Sequence, residues 1–492
     1  MNNLHAIYRP SLALLTDLYQ ISMAYSYWKT GRHNHEAMFQ LYYRHNPFNG
    51  GFAVTCGLAT ISEYIEGFNW SEDDLQYLST LNGIDGQPLV DDGFLNYLRE
   101  TPLTVDVDAI EEGRVVFAQE PMVRVTGPLL QCQLLETPLL NLINFPTLIA
   151  TKAARVCQAA GADEVLEFGL RRSQGIDGGL TASRAAFVGG VSATSNLMAG
   201  KLFNIPVRGT HAHSWVMSFD DELESFMAFA KAMPGNAVFL VDTYNTLRGV
   251  EKAVKVGQWM KSQGHRMAGI RLDSGDLAYL SQQARKILDA GGLEDVRIVA
   301  SNDLDEHLIA TLKAQGAPIA IWGVGTRLVT AFDDPALGGV YKLVAIRENA
   351  SSPWQYKMKL SEQLSKITNP GQQQVRRFTE RGRFVGDMIF DEMAPPTGDS
   401  WTIVDPMDVT RRKSFSAETS FEDLLVPIFR KGKLMYQNGG LMEARDRCKN
   451  DLLKLHDGIK RLSNPHTYPV GLERTLYEHK AKKILELRGF EE

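Results

Sequence analysis

Seven short apolar runs, each cut off by polar and glycine residues, constrain the fold of this chain more than any other feature. They occupy 165–172, 186–190, 205–214, 238–243, 268–275, 298–303 and 318–326. A strand buried on both faces of a parallel sheet reads as a continuous apolar run. Proline is tolerated where a strand begins, and Pro206 and Pro318 fall at or near such starts. The intervals of roughly 20 to 35 residues leave room for helices between strands. The spacing predicts helices over 222–232, 247–263, 276–290 and 306–315. In an α/β barrel the chemistry collects at the C-terminal ends of the strands. Here histidine, arginine and aspartate converge there with a Gly-x-Gly-Thr turn.

Bulk properties bound the alternatives. The chain has 492 residues, of which 44% are hydrophobic, enough for two or more domains without covalent staples. A net charge of −6 argues against a nucleic-acid or polyanion binder. Cys56, Cys132, Cys157 and Cys448 are scattered, with no metal-ligand spacing, and read as reduced core thiols. Residues 1–15 lack the apolar core of a secretory leader, and no run approaches the about 18 apolar residues of a membrane span. The expectation is a soluble cytoplasmic protein with no nucleic-acid or membrane partner.

The expected fold class is α/β: an irregular TIM-like α/β barrel over 139–346, an N-terminal α/β domain over 1–138, and a C-terminal helical segment, 347–492, packed on that domain. Helical spacing covers 14–28 and 134–152. Strands are expected at 36–43 and 52–55, with 112–125 as paired strands. The run 340–346 is the expected last barrel strand. The basic stretch 357–383 reads as mobile, and 440–489 as helical.

The strand ends carry the candidate chemistry. Gly323-Val324-Gly325-Thr326 lets backbone N–H groups approach a phosphate ahead of a helix N-terminus. Asn302 can add a donor or cap the next helix. Arg271 and Asp273 lie two apart on a strand, hence on one face. Either they form a structural ion pair, or they clamp a ligand, with Asp273 and Asp242 on sugar hydroxyls and Arg271 on an anion. Ser274 and Gly275 lie in the same turn and are candidate phosphate contacts; Asp276 fits a helix cap. Arg171 and Arg172 beside Phe168 suit a planar anion. His213 serves either as a general base or as a phosphoryl-accepting nucleophile.

These residues resemble nicotinate phosphoribosyltransferases over nearly the whole chain. The resemblance rests on 15–20 (Leu-Thr-Asp-Leu-Tyr-Gln), Arg44 with Asn46-Pro47-Phe48, and 167–175. It continues through Gly209-Thr210 with Ala212-His213-Ser214, Asp273-Ser274-Gly275-Asp276, Lys366 to Pro370-Gly371, and Asn464-Pro465-His466. The family joins nicotinate to 5-phosphoribosyl-1-pyrophosphate (PRPP), with coupled ATP hydrolysis, in NAD salvage biosynthesis. By resemblance His213 is the residue phosphorylated by ATP, and Thr210 and Arg271 contact nicotinate. Phe168 and Tyr19 form its stacking faces, Tyr19 reaching into a partner's site in a homodimer. Thr326 contacts PRPP. His211 occupies a variable slot and receives no role.

Loss of pyrophosphate leaves an oxocarbenium-like ribose, which Asp273 and Asp242 would stabilise. Mg²⁺, carried with PRPP and ATP, and the cations Arg44, Lys342, Lys366 and Arg376 would neutralise the leaving group; Arg377 is a further candidate. The pyridine nitrogen is already nucleophilic, so the base reading of His213 loses ground. The rivals are a nicotinamide-using enzyme, a quinolinate-decarboxylating enzyme, a catalytically silent sugar-phosphate-sensing barrel, and a Schiff-base aldolase. The loop 190–196 has no carboxylate for an amide NH₂, which favours the acid.

Overall fold

The computed structural model describes residues 11–437 and 439–490; residues 1–10, part of the stretch examined for a leader, lie outside it. The chain forms two compact units, one of residues 148–335 and the other of 1–147 with 336–492.

The first unit is a parallel sheet with helical crossovers. Its strands are β1 (Glu164–Glu167), β2 (Ala193–Thr194), β3 (Val238–Leu240), β4 (Gly269–Leu272), β5 (Arg297–Ala300) and β6 (Ile321–Val324). Their order is β2-β1-β6-β5-β4-β3, and every pairing is parallel. A single parallel bridge, Thr194 to Val207, places the 205–207 run beside β2. The apolar runs do what their composition demands: Phe239, Ile270, Ile298 and Trp322 are all buried. Helices Glu222–Ala232, Thr246–Ser262, Leu277–Ala290 and Glu306–Ala314 fill the predicted intervals.

Two details depart from the expected barrel. Residues 186–188 are not a strand; they end the helix Gly175–Val188, and the strand follows at β2. Three apolar residues in a row cannot distinguish a strand from the buried end of a helix. Gly189 marks the close approach there, since a Cβ would lie 2.3 Å from the Ala150 carbonyl oxygen. In addition, among the described residues no backbone pairing joins 205–208 to β3. Side chains span that gap instead: His211 Nε2 accepts the Leu240 N–H at 3.3 Å, and Asn236 Nδ2 donates to the Gly209 carbonyl at 3.5 Å.

The second unit carries two larger sheets. One, of seven strands, is antiparallel throughout and includes Glu36–Tyr43, Val123–Pro128, Asp106–Ile110 and Leu425–Arg430. The strand Gly339–Arg347, expected to finish the barrel, belongs here and runs antiparallel to Glu36–Tyr43 with Gln40 opposite Lys342. Its buried face explains the choice. Tyr341 stacks on Phe39 at 4.9 Å and donates its hydroxyl to the Cys132 carbonyl at 2.8 Å.

The other sheet, of six strands, spans Gln373–Glu380 to Val470–Glu473. The C-terminal segment is therefore largely β up to residue 434, and among the described residues its α-helices are Gly440–Lys454 and Arg474–Leu487. Nor is 373–383 a free segment: Gln373–Glu380 pairs on both sides, with Arg383–Asp391 and with Ser420–Asp423. No described helix is long and apolar enough to cross a membrane.

Candidate active site

The C-terminal edge of the parallel sheet gathers most of the predicted polar residues. Arg271, the third residue of β4, donates from Nε to Ser301 at 2.8 Å, from Nη1 to Thr210 at 3.1 Å, and from Nη2 to Asp273 Oδ1 at 2.9 Å. Its guanidinium also lies 5.8 Å from the centre of the Phe168 ring. Asp273 Oδ1 accepts a second hydrogen bond from Ser301 Oγ. Burial pushes the Asp273 carboxyl up, but the bonds from Ser301 and Arg271, with the arginine's charge, outweigh it and hold the group below the usual aspartate range. The Asp273 carboxylate is thus ionised and fixed in direction.

His213 opens the short helix His213–Met217 beside this cluster. Its Nδ1 lies 3.1 Å from Thr243 Oγ1 and its Nε2 3.7 Å from Asp273 Oδ2. Asp242, just past β3, accepts the Asp273 N–H at 2.7 Å and the Ser274 hydroxyl at 2.8 Å, both through Oδ2. Its Oδ1 is buried and has no hydrogen-bond partner among the described residues. A buried carboxylate oxygen without a donor is costly, and a ligand hydroxyl would satisfy it. Gly275 has φ 79° and Asp276 caps Leu277–Ala290 through the Ala278 and Tyr279 N–H groups.

The β6 turn is built differently from its reading as a phosphate cradle. A Cβ on Gly323 would meet Phe168 Cδ2 at 2.7 Å, so this glycine seats the Phe168 ring. Thr326 begins a helix of only four residues, Thr326–Val329, too short to offer much dipole. What remains for an anion is the Gly325–Thr326 backbone and the Thr326 hydroxyl. One strand away, Asn302 and Asp303 hold φ of 92° and 39°, a left-handed pair exposed at the end of β5. Arg171 and Arg172 are exposed in the turn Leu170–Arg172.

The remaining candidates lie in the other unit. Tyr19 is the second residue of Leu18–Lys29 and 48% exposed, and burial, then Glu136, raises its phenol above the usual range. Arg44 follows the strand Glu36–Tyr43, with its Nε buried and without a partner among the described residues. Burial holds Lys342 below the usual lysine range, and the charges of Lys359 and Arg44 push the same way against Glu136. Lys366 is half-buried at the end of the turn Leu364–Lys366. Arg376 is already paired: it grips Asp423 with Nε at 2.8 Å and Nη2 at 2.9 Å and lies 4.0 Å from the Phe421 ring centre. Arg377 is wholly buried on Asp387 at 2.5 Å. Both guanidinium groups are thus engaged by carboxylates.

Three contributors had no assigned role in the sequence reading. Glu167 is fully buried and accepts from the Gly169 N–H, from Ser183 at 2.9 Å and from Thr194 at 2.5 Å, fixing the turn that carries Phe168. Thr243 orients His213; its place at the end of an apolar run was the available signal. Lys359 joins Arg44 and Lys342, and nothing in its local pattern marks it. His211, by contrast, is structural. It sits 4.9 Å from the Phe229 ring, and burial lowers its imidazole to about 4, so it stays neutral and accepts the Leu240 N–H.

Comparison with known proteins agrees along nearly the whole chain. Family models for the nicotinate phosphoribosyltransferase N-terminal domain, family and C-terminal domain match residues 14–144, 164–366 and 372–480. A nicotinate phosphoribosyltransferase of Bacillus subtilis is 43% identical, over 97% of this chain and 96% of its own. The crystal structure of human nicotinic acid phosphoribosyltransferase superposes with a TM-score of 0.81 at 33% identity, covering 95% of this chain and 99% of that one. A nicotinate-nucleotide pyrophosphorylase from Pyrococcus furiosus shares the fold, with a TM-score of 0.68 at 19% identity over 90% and 95% of the two chains. The chain belongs to the nicotinate phosphoribosyltransferase family.

Proposed function

We propose that this family member transfers the phosphoribosyl group of PRPP to nicotinate, giving nicotinate mononucleotide and pyrophosphate, in cytoplasmic NAD salvage. The observation that carries the reading is the cluster of Asp273, Arg271, Ser301 and Thr210 beside the Phe168 ring. Phe168 offers a flat face to the pyridine, and Arg271 with Arg171 supplies positive charge for its carboxylate. The buried, unpartnered Asp242 Oδ1 suits a ribose hydroxyl. Asp273 then faces the carbon that becomes positive as the C1–oxygen bond breaks. Ionised and held in place, it stabilises that charge without reorganising.

Arg44, Lys342 and Lys366 are assigned to the departing pyrophosphate. Mg²⁺ would enter on the phosphate oxygens of PRPP and ATP and neutralise their charge. The parallel sheet is read as an irregular barrel. The active form is a homodimer in which the exposed Tyr19 closes the partner's site.

ATP coupling is assigned to His213. With Nδ1 directed at Thr243, Nε2 keeps its lone pair for the γ-phosphorus of ATP, and ADP leaves. The phosphoryl group would then sit close to the ionised Asp273, adding about two negative charges beside it. That repulsion destabilises phosphohistidine and favours its hydrolysis by water.

The reaction is tested by incubating the protein with PRPP, Mg²⁺ and equal concentrations of nicotinate and nicotinamide, with and without ATP. Nicotinate mononucleotide should dominate the mass spectrum, with ATP raising its yield; a dominant amide product would refute the assignment. For His213, ³²P from γ-labelled ATP should enter an acid-labile, base-stable form that is absent in His213→Ala.

A further inference from the structure

Three stretches that carry the family resemblance have no part in the chemistry above: Asn46-Pro47-Phe48, Ile367 to Gly371, and Asn464-Pro465-His466. Residues from all three meet at one cavity of about 650 Å³ in the second unit. That is within the size range of small-molecule sites. Part of its wall is apolar, from Phe117, Ile389, Ile403 and Leu472, and part is basic. The charges lining it are Lys480, Arg411, Arg412 and Lys413 against Asp405 alone, with His466 at the edge.

Lys480 is the decisive group. The residue is 9% exposed, and its Nζ hydrogen-bonds to Asn369 Oδ1 at 2.7 Å, an uncharged partner. No carboxylate forms an ion pair with it among the described residues. Burial lowers the ammonium to about 8. A buried cation without a counter-ion is seldom kept for stability. Lys413 and Arg412 already spend hydrogen bonds on the carbonyls of Val385 (2.6 Å) and Val409 (3.1 Å). Arg411 and Arg412 are exposed and Lys413 half-buried, so the buried charge is that of Lys480.

We propose that this cavity binds a small organic anion, its charged head on Lys480 and its apolar or aromatic body against Phe117, Ile389 and Ile403. An occupant would touch Leu364, Ser365 and Ile367, which flank Lys366. Resting on the assignment of Lys366 to pyrophosphate, the site would brace that segment from behind. The binding itself does not depend on that assignment.

The test is fluorescence titration of the full-length protein with 8-anilinonaphthalene-1-sulfonate, an aromatic anion, in the presence of saturating nicotinate. One probe should bind per chain in wild type. Lys480→Met should weaken this binding at least tenfold, Lys480→Arg should retain it, and Asp273→Asn should leave it unchanged. Circular dichroism of Lys480→Met should match wild type, and its nicotinate turnover without the probe should be near wild type. That separates this result from failure of the proposed reaction. Equal probe affinity in wild type and a folded Lys480→Met would overturn the proposal, as would loss of binding in Asp273→Asn.

Discussion

Two clusters, one in each unit, treat their charged residues in opposite ways. At the edge of the parallel sheet, Arg271 meets Asp273, Ser301 and Thr210, and the cluster is neutralised and fixed before any ligand arrives. In the other unit, Arg44, Lys342 and Lys359 repel one another, and Lys480 is buried without a counter-ion. The first arrangement suits a site that must stabilise a charge appearing only in the transition state, because its dipoles are already oriented. The second suits a site whose ligand brings its own negative charge, because the unpaired cations become favourable only on binding. Sequence alone does not separate the two, since Arg376 and Arg377 look as free as Lys342 until their carboxylates are located.

The largest expected effect comes from breaking the neutralised cluster. Asp273→Asn keeps the shape but removes the charge, and kcat should fall by about 10²–10³ with nicotinate affinity changed only a few-fold. Steady-state kinetics with direct nicotinate titration checks this. A parallel rise in KM with unchanged kcat would mean that Asp273 only binds substrate.

Next is Lys480→Met. The folded-state pKa of Lys480 is depressed to about 8 from 10.5, so the unfolded chain binds its proton more tightly between those values. At neutral pH the wild type bears the full cost of burying the charge, and stability rises as pH climbs from about 8 to 10.5. The substitution should therefore raise unfolding free energy by roughly 3 kcal/mol at pH 7, the gain vanishing above about pH 10.5. Urea melts across that range would show it; a pH-independent difference would point to packing instead.

Lys342→Met removes one of the mutually repelling cations. It should raise the KM for PRPP about tenfold while leaving the ligand-free protein at least as stable. Smallest of all, Arg376→Gln should cost about 1 kcal/mol of stability and leave PRPP kinetics unchanged. A PRPP defect there would return Arg376 to the pyrophosphate site.

Much of the parallel sheet was legible because its strands are short, buried on both faces and ended by polar turns, a pattern that needs no knowledge of partners. The run at 186–188 misled because the buried end of a helix looks the same over three residues. Gly339–Arg347 misled for another reason. Which sheet a strand joins is decided by its partner, here Glu36–Tyr43, about 300 residues away in sequence. The strands Gln373–Glu380 and Arg383–Asp391 are mostly buried without regular alternation and carry Arg376, Arg377 and Asp387, so the stretch 357–383 read as a basic mobile segment rather than as paired strand. In the site, Asp273, Arg271 and His213 were legible because two-residue spacing on a strand and position at a strand end both imply convergence. Glu167 was not, since a buried carboxylate inside an apolar run shows its purpose only once Ser183 and Thr194 are beside it.

The central claim is that the Phe168, Arg271, Asp273 and Asp242 groups hold one ligand at the edge of the parallel sheet. A crystal structure with bound nicotinate mononucleotide tests it most directly. The account predicts the pyridine ring on Phe168, its carboxylate on the Arg271–Thr210 side, and a ribose hydroxyl on Asp242 Oδ1. A nucleotide seated elsewhere, with Asp242 Oδ1 still unpartnered, would contradict it.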